Sequence, residues 1–431
     1  MAPRSRRQYL GGATSLGASL LATACDALSS GSDVAPTAAP ETLPAISRRP
    51  GVPSQTKPQV PVRVRFIPDG SYGGTPMADQ FRQYMTPFTE AHPHIALDWQ
   101  DWGYDAFMAA INEAIAAGPA GESMQDVVHL PWWQVDYVPQ LVVRGALLGL
   151  DPFIRRDRYD LTDFWPGCLE RSTWRGDLYA LPTHVDTQLV FYNLKLFTAA
   201  GVPAPPSDWT WQHLLEAARQ LTHLQGATSV YGFALSHAYG WPLGAGLEVA
   251  YDYPATIPWI WGNGGDVVSA DLTRSLVDQP QAQEALEWLV AQRETHAVWP
   301  PAAGPSAEAL FKAGQLAMLY GPRSFTGDLL VSQPGFAYGL AAAPRGPVTS
   351  ANWLFSQSAF HIGAATSVPD EAWTFLSWWA GEAAQRDFQH GTARKGAKLT
   401  LPSMAPPARR SVAQEVAPWF GEPIVAALEH A

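Results

Sequence analysis

The stretch that most constrains how this chain can fold runs from Leu178 to Gly201. Leu178-Tyr179-Ala180-Leu181-Pro182 reads as a short strand that stops at a residue with no backbone donor. The polar run Thr183 to Gln188 follows. Leu189 to Tyr192 is then a second apolar strand, and Gly201 closes the helix after it. A strand that halts and resumes beyond a polar run is a natural place for a chain to leave one lobe and enter another. The 431 residues are too many for one core and suit two domains, and 47% hydrophobic residues can fill them.

Upstream of that crossing, strand and helix signals alternate. Val60, Val62, Val64 and Phe66 alternate with Pro61, Arg63 and Arg65, a strand pattern. Met77, Phe81, Tyr84, Met85 and Phe88 follow at helical spacing. Ile95, Leu97 and Trp99 alternate again; Phe107, Met108, Ile111 and Ile115 form a second helical stripe; Asp126 to Leu130 is a third strand. This order predicts a parallel sheet with right-handed crossovers. Ligands of such sheets sit beyond the carboxyl ends of the strands. Asp69, Trp102 and the pair Trp132-Trp133 fall at the three successive strand exits, which suggests a ring-rich binding rim. Trp102 capping a core and Trp133 opening the next helix are the plainer alternatives.

Downstream, Pro205-Pro206 precedes Trp209, and Thr210 is a candidate N-cap for a helix with Trp211, Leu214, Leu215, Ala218 and Leu221 on one face. Tyr231 to Leu235 reads as a buried strand. Pro258-Trp259-Ile260-Trp261-Gly262-Asn263-Gly264-Gly265 is an aromatic helix end followed by a glycine turn. Phe311-Lys312-Ala313-Gly314-Gln315-Leu316-Ala317-Met318 leads into a strand expected to return to the first lobe, with Tyr320 and Arg323 at its end. Trp353 follows, and Ala372-Trp373-Thr374-Phe375-Leu376 opens a helix whose stripe of Ala372, Trp373, Leu376 and Trp379 is expected in the core.

Taken in order, these motifs resemble the extracellular sugar-binding proteins of bacterial ABC importers, family 1. The matching runs are Tyr-Ala-Leu-Pro with Tyr192-Asn193 and the Phe-x-x-Ala-Gly ending at Gly201, the aromatic Asn-Gly-Gly turn, Phe-x-x-Gly-x-x-Ala-Met, and the Ala-Trp-x-Phe-Leu helix. The likeness extends from about Val60 to Ser411. It implies an α/β, two-lobed periplasmic-binding-protein-like fold, with parallel-sheet lobes joined by a crossing-strand hinge. Lobe 1 is expected at 60–183 plus 303–335, and lobe 2 at 184–302 plus 336–431. Because relatives usually continue beyond the point equivalent to Ala431, either the second lobe is trimmed or the sequence is shortened.

The resemblance further implies a mono- or oligosaccharide held between the lobes and delivered to ABC permease subunits in the membrane. Aromatic rings suit the apolar faces of sugars, and the chain has 18 Trp. Trp102, Trp132, Trp133, Trp259, Trp261 and Trp353 are the candidates for ring stacking. Asp69, His184, Asp186, Tyr320 and Arg323 are the candidates for hydrogen bonding. A hinge role for His184, a capping or surface role for Asp186 and a pairing of Arg323 with Asp328 stay open beside these. A polyamine or sugar-phosphate ligand, or a secreted carbohydrate-active enzyme, are the alternative functions.

The first 24 residues carry Arg4, Arg6 and Arg7 ahead of a small apolar run too short for a stable membrane span, the pattern of an export signal resembling the twin-arginine type. Leu21-Ala22-Thr23-Ala24-Cys25 resembles a lipoprotein box, with lipidation expected at Cys25; ordinary cleavage after Ala24 is the alternative. Residues 25–59, rich in Ser, Pro, Ala and Thr, read as a disordered tether. The expected location is the outer face of the cytoplasmic membrane or the periplasm. The net charge of −11 argues against a nucleic-acid partner. No metal-ligand spacing, phosphate loop or nucleophile elbow occurs, and His92-Pro93-His94 alone is poor evidence for a metal. A monomer without cofactor, metal or catalytic residues is expected.

Overall fold

The computed structural model describes residues 61–67, 82, 84–100, 102–124, 126–131, 137–236, 253–271, 273–301, 304–390, 406–420 and 428. The export signal, the tether, Cys25, Asp69, Trp132 and Trp133 lie outside the described residues.

The first half of the chain contributes β1 (Val62–Ile67), α1 (Thr86–Ala91), β2 (Ile95–Trp99), α2 (Tyr104–Ala117), β3 (Val127–Pro131), α3 (Val138–Val143), α4 (Asp151–Asp157) and α5 (Pro166–Arg171). The hairpin β4 (Thr173–Trp174) and β5 (Asp177–Leu178) leads into β6 (Ala180–Asn193). Arg175 and Gly176 turn that hairpin with φ of 53° and 94°, the left-handed geometry of a two-residue reversal. Then come α6 (Leu194–Ala200), α7 (Trp211–Leu221), β7 (Tyr231–Leu235), α8 (Tyr253–Gly262), α9 (Pro280–Glu294), α10 (Ala307–Lys312), β8 (Leu316–Pro322), α11 (Phe325–Ser332), β9 (Tyr338–Ala341), β10 (Leu354–Ile362), α12 (Pro369–Trp379), α13 (Glu382–His390) and α14 (Arg410–Phe420).

The strands run in the order β2-β1-β3-β10-β6-β8-β7, with β9 also on β6. β1 pairs parallel with β2 and β3, as the alternation of strands and helices predicts, and β7 pairs parallel with β8. The pairings of β10 and β6 are antiparallel, so each lobe carries a parallel core completed by antiparallel neighbours.

β6 is the strand on which the two lobes meet. Leu181 to Thr187 lie against β10, whereas Gln188 to Asn193 lie against β8 and β9. The chain therefore does not stop at Pro182 and resume, as expected; β6 is one strand of 14 residues. Pro182 is tolerated because β10 shifts register near it, between Ser356 and Ala359. Past the proline, the other edge of β6 is met by residues 406–408: the Val185 N–H donates to Pro406 O (2.8 Å) and the Ala408 N–H to Thr183 O (3.1 Å).

Two expectations about the return of the chain are corrected. β8 does not go back to the first lobe; it pairs with β7 and the second half of β6, and all its residues are buried. The segment that does go back is β10 with the helices after it. Phe375 of α12 packs edge-on against Phe66 (5.4 Å) and Phe88 (5.1 Å), so burial of these rings binds 369–379 to β1 and α1. The expected grouping of 303–335 with lobe 1, and of everything after 336 with lobe 2, does not match this pairing.

Local signals fix the helices around the crossing. The Asn193 side chain accepts from the Lys195 and Leu196 N–H groups, and Gly201 closes α6 at φ 68°. Thr210 and His213 form a capping box on α7, which buries Trp211, Leu214, Leu215, Ala218 and Leu221 as the spacing predicts. Among the described residues, no helix is long and apolar enough to cross a membrane.

Candidate functional site

The crossing on β6 gathers side chains from four separate stretches. Gln188 opposes Pro322 and Val190 opposes Tyr320, so Gln188 and Tyr320 share one face of the sheet. The Tyr320 ring lies edge-on to Trp259 at 5.5 Å. Its hydroxyl donates to Asn352 Oδ1 at 3.5 Å, and the Asn352 amide donates to Gln188 O at 2.9 Å. Trp353 follows Asn352 and donates its own backbone N–H to Asn352 Oδ1 at 2.8 Å. Asn352 is thus a tie between the two crossing segments and holds Trp353 at their junction.

Trp353 and Trp261 are stacked, with ring centroids 5.3 Å apart and planes 2° from parallel. The Arg171 guanidinium lies 4.3 Å from the Trp353 ring centroid. Arg171 ends α5, which packs on β10 and β6; Trp261 is near the end of α8, beside α9 and β8. The series Arg171, Trp353, Trp261 therefore links α5 to α8 across the crossing. Trp261 is further fixed by its indole N–H, which donates to Asp266 Oδ1 at 3.0 Å. The reversal after α8 needs its glycines for different reasons. Gly264 adopts φ 76°, whereas a Cβ on Gly265 would lie 2.9 Å from the Ala282 backbone nitrogen of α9.

Trp259 is more deeply placed than the sequence suggested. It is 3% exposed and sits among Trp288 (5.1 Å, stacked), Trp211 (5.1 Å) and Phe233 (5.9 Å). Much of this ring is core. Its indole nitrogen, however, is buried without a hydrogen-bond partner, as are both side-chain amide atoms of Gln188 and the Thr187 hydroxyl. Buried polar groups in folded proteins are nearly always paired, so such orphans at one junction need an explanation.

Asp186 and Arg323 sit just beside this junction and act on each other's charge. Asp186 is fully buried; its carboxylate accepts the Thr187 N–H (2.8 Å) and the Ser324 N–H (3.2 Å). The Arg323 N–H donates to Thr187 O (2.9 Å), and its guanidinium donates to Thr326 Oγ1. Burial pushes the Asp186 carboxyl up, and its hydrogen bonds and Arg323 oppose that. Burial also pulls Arg323 down to about 10, and Asp186 opposes it. Asp186 thus ties β6 to the turn that opens α11.

His184 stands apart from this group. Its ring packs on Phe388 of α13 at 4.4 Å, and Nδ1 lies 3.0 Å from Thr183 Oγ1. Burial, with His129 adding to it, pushes it down to about 3, so it is neutral at any ordinary pH. Trp102 is half-buried and packs on the small first-lobe cluster of Ile67, Phe107, Val128 and Leu141. It is the one described member of the expected rim.

Of the expected residues, Trp259, Trp261, Tyr320 and Trp353 come together, with Asp186 and Arg323 adjoining; His184 and Trp102 do not join them. Gln188, Asn352 and Arg171 were missed. Gln188 closed the polar run already singled out, and a neutral amide directly before the apolar Leu189 to Tyr192 was the available signal. Nothing in the local sequence marked Asn352 or Arg171. Among the described residues, no group of three or more His, Cys, Asp or Glu could hold a metal ion.

These features define a two-lobed binding protein. The profile of the bacterial extracellular solute-binding protein family matches residues 74–386, and the chain belongs to that family. A binding protein of Brucella abortus is 24% identical over 305 residues, 69% of this chain and 67% of the relative. A mannitol-binding protein of Pseudomonas aeruginosa is 27% identical over 307 residues, 69% of this chain and 64% of the relative. Among solved structures, the cyclic alpha-maltosyl-1,6-maltose binding protein of Arthrobacter globiformis is similar with a TM-score of 0.67 at 20% identity, covering 86% of this chain and 88% of that one. A sugar-binding protein of Xanthomonas citri also gives 0.67, at 19% identity and 86% coverage of both chains. These structural likenesses carry the fold.

Proposed function

We propose that this protein is the extracytoplasmic substrate-binding component of an ABC importer, taking a mono- or oligosaccharide between its lobes and presenting it to a membrane permease. The observation that carries the reading is the convergence of Trp261, Trp353 and Tyr320 with the Gln188 amide at the strand that links the lobes, where Asn352 ties the two crossing segments. Rings cover the apolar faces of a sugar, and amides answer its hydroxyls. Micromolar binding asks for about 8 kcal/mol, within reach of a few rings and several hydrogen bonds. Support also comes from relatives whose names state mannitol or maltose-type ligands. On this reading the role is binding rather than catalysis, which membership of a solute-binding family supports.

The remaining assignments belong to this same reading. The lobes follow the strand pairing: residues 62–187 with 354–420, and 188–350. Asp69, Trp102, Trp132 and Trp133 are rim residues of the first lobe. Cys25 carries the lipid that keeps a monomeric protein at the outer face of the membrane.

The experiment is a thermal-shift series on the purified protein with mannitol, maltose, tagatose, spermidine and glucose 6-phosphate. A ligand that binds only the native state raises the melting temperature. The expected result is a rise with at least one neutral sugar or polyol. A flat response to all of these with a rise for spermidine or the phosphate would replace the ligand class. Conversion of an oligosaccharide to products on incubation would replace binding by catalysis.

A further inference from the structure

We infer that Gln188, helped by the indole N–H of Trp259, recognises adjacent hydroxyls of an uncharged polyhydroxy ligand at the floor of the crossing. The inference rests on the carbohydrate reading above and narrows it to a residue and to a kind of functional group.

Gln188 has zero exposure, yet neither its Oε1 nor its Nε2 has a hydrogen-bond partner. Its backbone carbonyl accepts from the Asn352 amide. The side-chain amide is left over. A leucine would fill that place in β6 with no polar atoms to satisfy, so the empty amide is a cost that packing does not repay. Trp259 presents the same anomaly with a single donor. Tyr320 joins the two, since it touches Trp259 and shares its sheet face with Gln188. The unpaired groups thus border one place, where the two halves of the chain meet.

The kind of group that would fill it follows from the chemistry. A carboxamide offers a donor and an acceptor side by side, which matches a pair of neighbouring hydroxyls, each able to give and to take. An indole N–H only donates and needs a further ligand oxygen. Neither bears charge. A neutral donor–acceptor pair suits hydroxyls rather than a full charge; of the charged groups nearby, Asp186 and Arg323 offset each other and Arg171 lies over the Trp353 ring. The amide is sealed from solvent as the halves stand, so the ligand reaches it when they part and is covered when they close.

The test uses Gln188→Leu and Trp259→Phe in the full-length protein, with mannitol and maltose as neutral probes and spermidine and glucose 6-phosphate as charged ones. Gln188→Leu is expected to raise the melting temperature of the unliganded protein by about 1 °C or more, because an unpaired buried amide is removed. The same variant should bind the neutral probe that stabilises the wild type at least tenfold more weakly by calorimetry. Trp259→Phe should lose several-fold while keeping its ring contacts. A Gln188→Leu protein that melts lower without ligand and keeps its ligand-induced shift would overturn the inference; the amide would then serve the fold or hold only water. A wild type that answers a charged probe and no neutral one would overturn it as well. If the wild type answers none of the four, the carbohydrate reading fails by itself. The unliganded comparison then decides: a higher-melting Gln188→Leu still marks an amide built for an outside partner, and a lower-melting one does not.

Discussion

At the scale of single residues, the buried titratable groups set how this protein responds to acid. His184 and His361 are both pushed down to about 3 by burial. Their folded values lie below the ordinary histidine value, so the unfolded chain binds the extra protons. Stability from this source is complete above about pH 6.5 and is lost as the pH falls toward 3. Asp186 works in the opposite sense: its raised value means that stability from that group is lost as the pH rises through it. Comparing urea midpoints at pH 7 and pH 4.5 isolates the histidine. His184→Phe should reduce the acid loss of the wild type by about 2 kcal/mol, and equal losses would contradict the assignment. Asp186→Ala removes the acceptor of two backbone N–H groups beside Arg323. The expected cost is about 2–4 kcal/mol in a denaturant titration.

At the scale of elements, close approaches decide more than propensities do. β7 lies so near α7 that a Cβ on Gly232 would come 2.1 Å from the Ala218 carbonyl oxygen. Gly232→Ala must push backbone away from backbone, and a loss of about 2–3 kcal/mol in unfolding free energy is expected, or failure to express folded protein. A near-neutral Gly232→Ala would mean that the helix can slide. The Trp353 ring, in contact with Arg171 and Trp261, is the other lever. Trp353→Ala should weaken binding of a stabilising sugar at least tenfold, measured by calorimetry, and should also lower the unliganded melting point, because the ring is buried. The α7 stripe and the Thr210 cap could be read directly, since both depend on neighbours three or four residues away. The unbroken course of β6 could not. Whether a strand survives a proline depends on which edge lacks a donor, and here β10 and residues 406–408 supply the partners.

At the scale of the whole molecule, the proposed function requires the lobes to close on a ligand about β6 and the 350–353 segment. Small-angle scattering should show a smaller radius of gyration on adding a ligand that raises the melting point. A saturating ligand at a hundred times its dissociation constant should add about 2.7 kcal/mol of apparent stability. Stabilisation with no change in dimensions would place the ligand somewhere other than between moving halves.

The alternation of strands and helices, the capped helices, the glycine reversal after α8 and the family likeness are properties of neighbouring residues, and the sequence alone determined them. The choice of lobe for β8 and β10 was decided only in three dimensions, because it turns on which apolar faces find each other: Phe375 on Phe66, and β8 against β7. The site shows the same division. Trp261 and Trp353 could be nominated for their chemistry, but Gln188 becomes conspicuous only through a partner 164 residues away and an amide left without bonds. Periodicity records which side of a strand faces inward; it carries no information about what arrives from the far end of the chain to meet it.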